Sequence, residues 1–345
     1  MTVHTANQAT GEAETIAAVL AGAAARFFGR PVTIENLSRE SGGASRQTWS
    51  FDALADGARQ GLILRRDPPL QDKSGGERSS SLDRATEFRV LLAAHRAGVR
   101  APEPLFELSA DDGLGEAYVM RRIAGTAIAR KLLRDAPYKE ARRRIAGQLG
   151  EILVRIHATD TATLPPLAVR QAADQIAMLH RSLDGLASPQ PVFELALSWL
   201  DRRKPAPVAR PVLVHGDYRT GNYLADATGV TAILDWEGAH LGDPVEDLGW
   251  LCVKSWRFGA VDKPAGGFGS REELWLAYER AGGPKVDPAR AHWWEVLGTA
   301  RWGITCHTQA WRHLSGAVKS MELASIGRRA VETEVDLLQL LKGAS

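Results

Sequence analysis

Apolar and polar positions divide the chain into a strand-forming first third and a helix-forming remainder. After about a dozen polar residues, "ETIAAVLAGAAARFFG" reads as an Ala-rich helix ending at Gly29. Three short runs of strand character follow, "PVTIENLS", "QTWSFDAL" and "GLILRR". The Gly- and Ser-rich "RESGGASRQ" separates the first two, which predicts a small antiparallel sheet with a glycine loop between its first strands. "DPPLQDKSGGERSSS" has the composition of a loop. From Leu82 to Ala97 a helix is predicted, opened by Asp83 and closed by Gly98, and "EAYVMRRIAGTAI" then gives a strand leading to a glycine. The boundary falls near Arg122 to Gly125, giving an N-terminal lobe of residues 1–122 and a helical lobe of 123–345.

In the second lobe "ARRRIAGQLGEILVRIHATD" and the segments 167–182, 191–203, 271–281, 288–312 and 320–342 carry apolar residues at helical spacing. One stretch, "VLVHGDYRTGNYLADATGVTAILDWEGAHLGDPVEDLGW", interrupts them with strands at about 212–215, 221–225 and 230–235. No internal repeat or sustained heptad is present, and the fold class is α+β.

Composition narrows the classes of function. At 345 residues the chain exceeds the usual single core, in keeping with two lobes. A net charge of +2 argues against a nucleic-acid or anionic-membrane binder, so any basic patch must be local. Cys252 and Cys306 lie in apolar, helical surroundings and read as buried thiols rather than a framework or a zinc site. "MTVHTANQATGEAET" lacks the order of a signal peptide and no long apolar run appears, so a soluble, cytoplasmic protein is expected, as monomer or homodimer.

The chemistry is concentrated in the interrupting stretch. If its three short strands packed side by side, Asp217 and Asn222 would flank one loop and Asp235 would end the last strand. Two carboxylates and a carboxamide oxygen would then converge, a hard-oxygen set suited to Mg²⁺ with phosphate and water completing its shell. The spacing is that of a kinase catalytic loop, His215-x-Asp217 with Asn222 five residues on and a later metal-binding Asp235 at a strand end. "HGD" or "LDW" alone would read as a turn; all four residues in register behind a glycine loop carry the functional reading.

With these motifs the sequence resembles the aminoglycoside phosphotransferase and choline kinase-like family. The likeness runs from "SGGASRQTWSFD" through "LILRR", "EFRVLLAAHRAGVRAPEPL" and "YVMRRIAG" to "HGDYRTGNYL", "ILDWEGAHLGDPVEDLGW" and "CVKSWRFG". It implies a bilobal, protein-kinase-like fold, ATP (or GTP) bound between the lobes, and Mg²⁺-assisted phosphoryl transfer to a small-molecule acceptor. Asp217 then takes the catalytic position, Asn222 and Asp235 hold the metal, and His215 is a structural pivot. Arg219 falls where protein kinases often hold a Lys near the transferred phosphate; a solvated loop Arg is the equal alternative. Glu237 and Asp243 are candidates for the metal's surroundings, while Asp243 with Asp247 also reads as capping and anchoring a helix.

The first lobe departs from protein kinases. Its glycine loop is not G-x-G-x-x-G, and no Walker-type loop occurs, yet the amides of Gly42, Gly43, Ala44 and Ser45 remain candidates to cradle phosphate. Arg65 stands where a kinase keeps its phosphate-binding Lys, with Glu87 as its expected ion-pair partner. Met120, Arg121 and Arg122 would offer backbone groups to the adenine edge.

About eight residues separate Asp235 from Pro244, too few for a protein kinase's activation segment, which points to a small acceptor. Lys254, Arg257, Lys263, Arg301, His307, Arg312 and His313, beside Trp302 and Trp311, favour a neutral or anionic acceptor with an apolar body over a polycationic aminoglycoside. "SWRFG…PAGGFGSREELW" also resembles the kinase-like domains of acyl-CoA dehydrogenase fusion proteins, which makes a hydroxyacyl thioester a conceivable acceptor. A non-catalytic nucleotide-binding module is the alternative reading.

Overall fold

The computed structural model describes residues 2–40, 47–67, 81–186 and 188–343, without the side chains of residues 2–10 and 110. Gly42, Gly43, Ala44 and Ser45 lie outside the described residues, as does most of the loop read at 67–81. The backbone separates into two compact units, residues 1–124 and 125–345.

The first unit is a five-stranded antiparallel sheet with two helices. α1 (Thr2–Phe28) precedes β1 (Thr33–Arg39), β2 (Gln47–Ala55) and β3 (Ala58–Asp67); α2 (Arg84–Arg96), β4 (Pro104–Glu107) and β5 (Glu116–Arg121) follow, in the spatial order β1-β2-β3-β5-β4. Strand alternation sorts the side chains. Phe51, Leu62, Leu64, Ala117 and Val119 join Ile16 and Leu20 of α1 in one core, whereas Tyr118 faces Phe88 of α2, ring centroids 5.8 Å apart. α2 starts at Asp83 as its sequence predicts, the carboxylate accepting from the Thr86 amide at 2.6 Å.

The second unit is mainly helical: α3 (Ala129–Arg134), α4 (Lys139–His157), β6 (Val169–Arg170), α5 (Ala172–Asp184), α6 (Pro191–Arg202), β7 (Val212–Val214), β8 (Tyr223–Asp226), β9 (Gly229–Ile233), β10 (His240–Gly242), α7 (Val245–Cys252), α8 (Arg271–Arg280), α9 (Pro288–Leu314), α10 (Met321–Gly327) and α11 (Ala330–Lys342). α9 is its spine. Asp287 caps it, accepting from the Ala289 and Arg290 amides, Pro288 fills the first helical position, and Trp293, Trp294, Val296, Leu297, Ala300 and Ile304 are buried along it. No helix among the described residues is long and apolar enough to cross a membrane.

Three expectations need correction. The strands of the central stretch do not lie side by side: β8 and β9 form a hairpin of their own, while β7 pairs with β10, itself joined to β6. β6 lies inside the segment read as one helix at 167–182, which begins only at Ala172. The helix expected over 320–342 is two: α10 ends at Gly327, which packs so close to α9 that a Cβ there would meet that of Ala310 at 2.4 Å, and α11 starts at Ala330.

Candidate active site

β7 ends at Val214, and the chain then turns through "HGD". The turn needs glycine: Gly216 has φ +78°, and a Cβ would sit 2.3 Å from the Gly238 carbonyl oxygen. Beneath it lies Asp247 of α7, whose carboxylate accepts from the amides of His215 (2.9 Å) and Gly216 (3.0 Å) and faces His157 Nε2 at 3.3 Å. Burial pushes this carboxyl up, but the bond from His157, the nearby imidazoles and the His215 amide more than offset it and hold it below the ordinary carboxylate range. Asp247 thus anchors the loop, where the sequence suggested a helix cap. Tyr278 closes the chain behind it, donating to His157 Nδ1 at 2.9 Å.

His215 is the pivot expected of it. Nδ1 accepts from the Asp217 amide (3.3 Å) and Nε2–H donates to the Leu234 carbonyl (3.0 Å), a network that assigns the neutral Nε2–H tautomer. Because the Leu234 amide also donates to the Asn222 carbonyl at 2.8 Å, Leu234 is clamped between two points of the loop. The next residue is Asp235, in the left-handed region at φ +65°, a conformation costly for a non-glycine residue and typical of functional sites. The loop and the strand end are thereby fixed to each other through the backbone.

Asp217 carries three donors. Trp250 Nε1 (2.8 Å) and Arg219 Nε (3.0 Å) reach Oδ1, and Asn222 Nδ2 (2.6 Å) reaches Oδ2. With its amide nitrogen turned to Asp217, Asn222 meets no donor to Oδ1 among the described residues, leaving that oxygen for a cation. Asn222 Oδ1 and the Asp235 carboxylate are hard oxygen donors of the number Mg²⁺ takes from a protein when phosphate and water supply the rest. No group of three or more His, Cys, Asp or Glu suited to a metal occurs among the described residues.

The arrangement around Arg219 was not visible beforehand. Its guanidinium lies 4.6 Å from the Trp256 ring centroid, and Trp256 packs in turn, tilted, against Trp250 and Trp302 at 5.2 and 4.9 Å. Arg301 of α9 sits 3.7 Å over the other indole, Trp250, and donates to the Gly216 carbonyl at 2.9 Å. Trp250 and Arg301 therefore join α7 and α9 to the loop. Trp250 gave no sequence signal beyond helical core, since its contact with Asp217 spans 33 residues.

Most of the other expected residues have partners within the second unit. Asp243 accepts from Arg290 Nε (2.6 Å), Trp294 Nε1 (2.7 Å) and the Val245 amide (3.0 Å), bonds that anchor it at the start of α7, as its helix reading had it. Lys254 pairs with Asp336 at 2.6 Å and Arg257 with Glu295 at 3.1 Å. His307 packs edge-on to Phe193, Arg312 bonds Gln309, His313 accepts from the Ser320 amide, and Trp311 is exposed. Lys263 has no ion pair among the described residues. Both cysteines are buried, and burial pushes the Cys306 thiol up to about 12 and that of Cys252 higher still, so neither is reactive.

In the first unit Arg65 lies 3.5 Å from Glu87, the expected pair. Glu87 is fully buried, and it also binds Arg84 and accepts from the Tyr118 hydroxyl at 3.0 Å. Arg65 and Tyr118 are opposed residues on β3 and β5, which brings both to the same carboxylate. The amides of Arg121 and Arg122 donate to the carbonyls of Glu103 (2.8 Å) and Gly61 (2.9 Å), and Met120 pairs with Ile63 and Pro104. Those two amides are committed within the sheet, and the Arg122 side chain binds Asp52 at 2.5 Å.

Residues 37–288 match the profile of the phosphotransferase enzyme family. Acyl-CoA dehydrogenase family member 10 of Mus musculus is 28% identical over 220 residues, covering 61% of this chain and 20% of the relative; member 11 of Gallus gallus is 29% identical over 237 residues, covering 65% and 28%. The chain thus spans under a third of these curated relatives. Among solved structures, a putative aminoglycoside phosphotransferase from Ralstonia eutropha superposes with a TM-score of 0.68 at 20% identity over 91% of this chain and 93% of that one. A choline/ethanolamine kinase family protein from Mesorhizobium loti gives 0.57 at 20% identity (89% and 88%). A thermostable mutant of aminoglycoside phosphotransferase APH(4)-Ia, solved with AMP-PNP and hygromycin B, gives 0.58 at 18% identity (91% and 97%). These likenesses establish a kinase-like fold.

Proposed function

The chain belongs to the phosphotransferase enzyme family, and on that premise we propose that it transfers the γ-phosphate of ATP to a hydroxyl of a small molecule, assisted by Mg²⁺. The observation that carries the reading is Asp217, held by Trp250, Arg219 and Asn222 while its side chain stays 27% exposed.

In the proposed reaction the acceptor oxygen bonds to the γ-phosphorus as the bond to the ADP oxygen breaks, and the hydroxyl proton passes to the Asp217 carboxylate. The transition state of such transfers is loose, so orientation and charge neutralisation contribute more than basicity. Three fixed donors on Asp217 suit that task. Asn222 and Asp235 would hold Mg²⁺, which supplies charge neutralisation to the phosphates. Arg219, tethered to Asp217 and resting on Trp256, would place a positive charge beside the transferred group. Arg65, oriented by Glu87, would contact the nucleotide phosphates in the place of the usual lysine. The amides of Gly42, Gly43, Ala44 and Ser45 and the carbonyl side of Met120 to Arg122 would complete the nucleotide contacts.

For the acceptor we propose a hydroxyacyl thioester or a comparable neutral or anionic metabolite with an apolar body. Similarity to acyl-CoA dehydrogenase family members 10 and 11 supports it, as does the indole-rich surrounding of Arg219. ADP release from ATP, measured with hydroxyacyl thioesters beside aminoglycosides, tests it: turnover with the thioesters supports the assignment, and turnover confined to aminoglycosides overturns it. Label from ATP appearing in macromolecules of a cell lysate would overturn the small-acceptor reading.

A further inference from the structure

The chain is nearly neutral as a whole, yet residues 128–147 hold seven Lys and Arg against two Asp and Glu. Part of that charge surrounds a concavity. A cavity of about 500 Å³ in the second unit is walled by Lys139, Arg142 and Arg143 of α4 and by Lys263 of the stretch before α8, with Phe268 as its apolar surface. Asp262 and Glu273 also line it, but Glu273 is committed to capping α8, accepting from the Ser270 amide at 2.7 Å.

Of the four cations, Arg143 alone meets a carboxylate among the described residues, that of Glu140 on its own helix at 3.3 Å. Lys254, Arg257 and Arg271 each meet a carboxylate of Asp336 or Glu295, whereas Lys139, Arg142 and Lys263 have no ion pair among the described residues. Arg142 spends its Nη1 on the carbonyls of Leu132 and Asp135, both at 2.9 Å, which orients the guanidinium without cancelling its charge. Cations crowded into the first turns of α4 also oppose the helix dipole, a local cost that a bound anion would offset.

The cavity wall is tied to the catalytic loop. Thr220, between Asp217 and Asn222, donates from its hydroxyl to the Gly266 carbonyl at 2.8 Å, and Gly266 lies in the turn closed by the Ala265–Gly269 bridge. Lys263 precedes that turn and Phe268 lies within it, facing Tyr223 with centroids 6.5 Å apart.

We infer that this cavity binds a phosphate-bearing group of a small molecule and that, resting on the kinase reading above, the molecule is the acceptor, held by its anionic end beside the loop that phosphorylates its hydroxyl. Concentration of the charge in a concavity, rather than across a broad face, favours a small polyanion over a membrane or a nucleic acid.

The test is calorimetric titration of the full chain with inorganic pyrophosphate, in the presence of Mg²⁺ and a saturating non-hydrolysable ATP analogue that blocks the nucleotide site. The wild type should bind, Lys139→Gln/Lys263→Gln should bind about tenfold more weakly or worse, and Lys285→Gln, an exposed lysine outside the cavity, should match the wild type. Equal pyrophosphate affinity in wild type and double variant overturns the site. So does absence of pyrophosphate binding with retention of phosphatidylserine vesicles or a short DNA duplex. In the ADP-release assay, pyrophosphate competing with the acceptor supports the acceptor assignment, and inhibition independent of acceptor concentration overturns that part. Absence of turnover alone would count against the kinase reading while the titration still decides the site.

Discussion

Asp217 and Asp247 hold the same loop from two sides, and each carboxylate meets three donors. Asp247 is wholly buried and receives two amides and an imidazole; Asp217 is a quarter exposed and receives an indole, a guanidinium and a carboxamide. The donors of Asp247 are groups the fold must satisfy anyway, so its work is done once the loop is formed. Those of Asp217 are long side chains brought from elsewhere to orient a carboxylate that still faces outward. Hydrogen-bond number does not separate scaffold from chemistry here; exposure and the origin of the donors do.

The comparison breaks first at Asp217. Asp217→Asn should lower turnover by about three orders of magnitude or more, leave nucleotide affinity within about twofold, and change the unfolding free energy by less than about 1 kcal/mol. Steady-state kinetics with denaturant unfolding checks all three. Asp247→Asn should do the reverse: an amide NH₂ would confront a backbone N–H in a dry site, costing about 2–4 kcal/mol in urea unfolding. A stable Asp247→Asn protein with lost turnover would erase the distinction.

Trp250→Phe sharpens it. The ring that carries Arg301 remains while the N–H to Asp217 goes, so kcat should fall about tenfold with the nucleotide KM unchanged. Equal loss in both parameters would mean that Trp250 acts on the fold alone. The smallest effect is in acid. Because the Asp247 carboxyl lies below its unfolded value, its stabilisation is full above about pH 4 and fades as pH falls through the folded value. Asp247→Asn should therefore show a shallower loss of stability than wild type below about pH 4, read by urea midpoints across that range.

The fold class was legible because its signals are local. Asp83 and Gly98 bracket a helix, and the first sheet shows itself in β-branched and aromatic runs. His215, Asp217, Asn222 and Asp235 were legible because one loop and one strand end carry them all. The pair Arg65–Glu87 followed from a strand and the next helix, but not the burial of Glu87, which depends on Arg84 and on Tyr118 opposite Arg65. Strand partners in the second unit were misjudged because runs of two to five residues carry no information on pairing; β7 finds β10 rather than β8. The grip of Trp250 and Arg301 on the loop could not be read at all. Both residues sit in helices where a periodic apolar or basic position has many uses, and only the packing of α7 and α9 selects this one.

The most direct test of the central claim is thermal unfolding of wild type and Asp235→Ala with ATP, each with and without Mg²⁺. A ligand bound only by the native state raises the unfolding temperature with its concentration. The account predicts a rise that needs Mg²⁺ in the wild type and is lost or sharply reduced in Asp235→Ala. An equal rise in both proteins, or no rise with millimolar ATP or GTP, would contradict it.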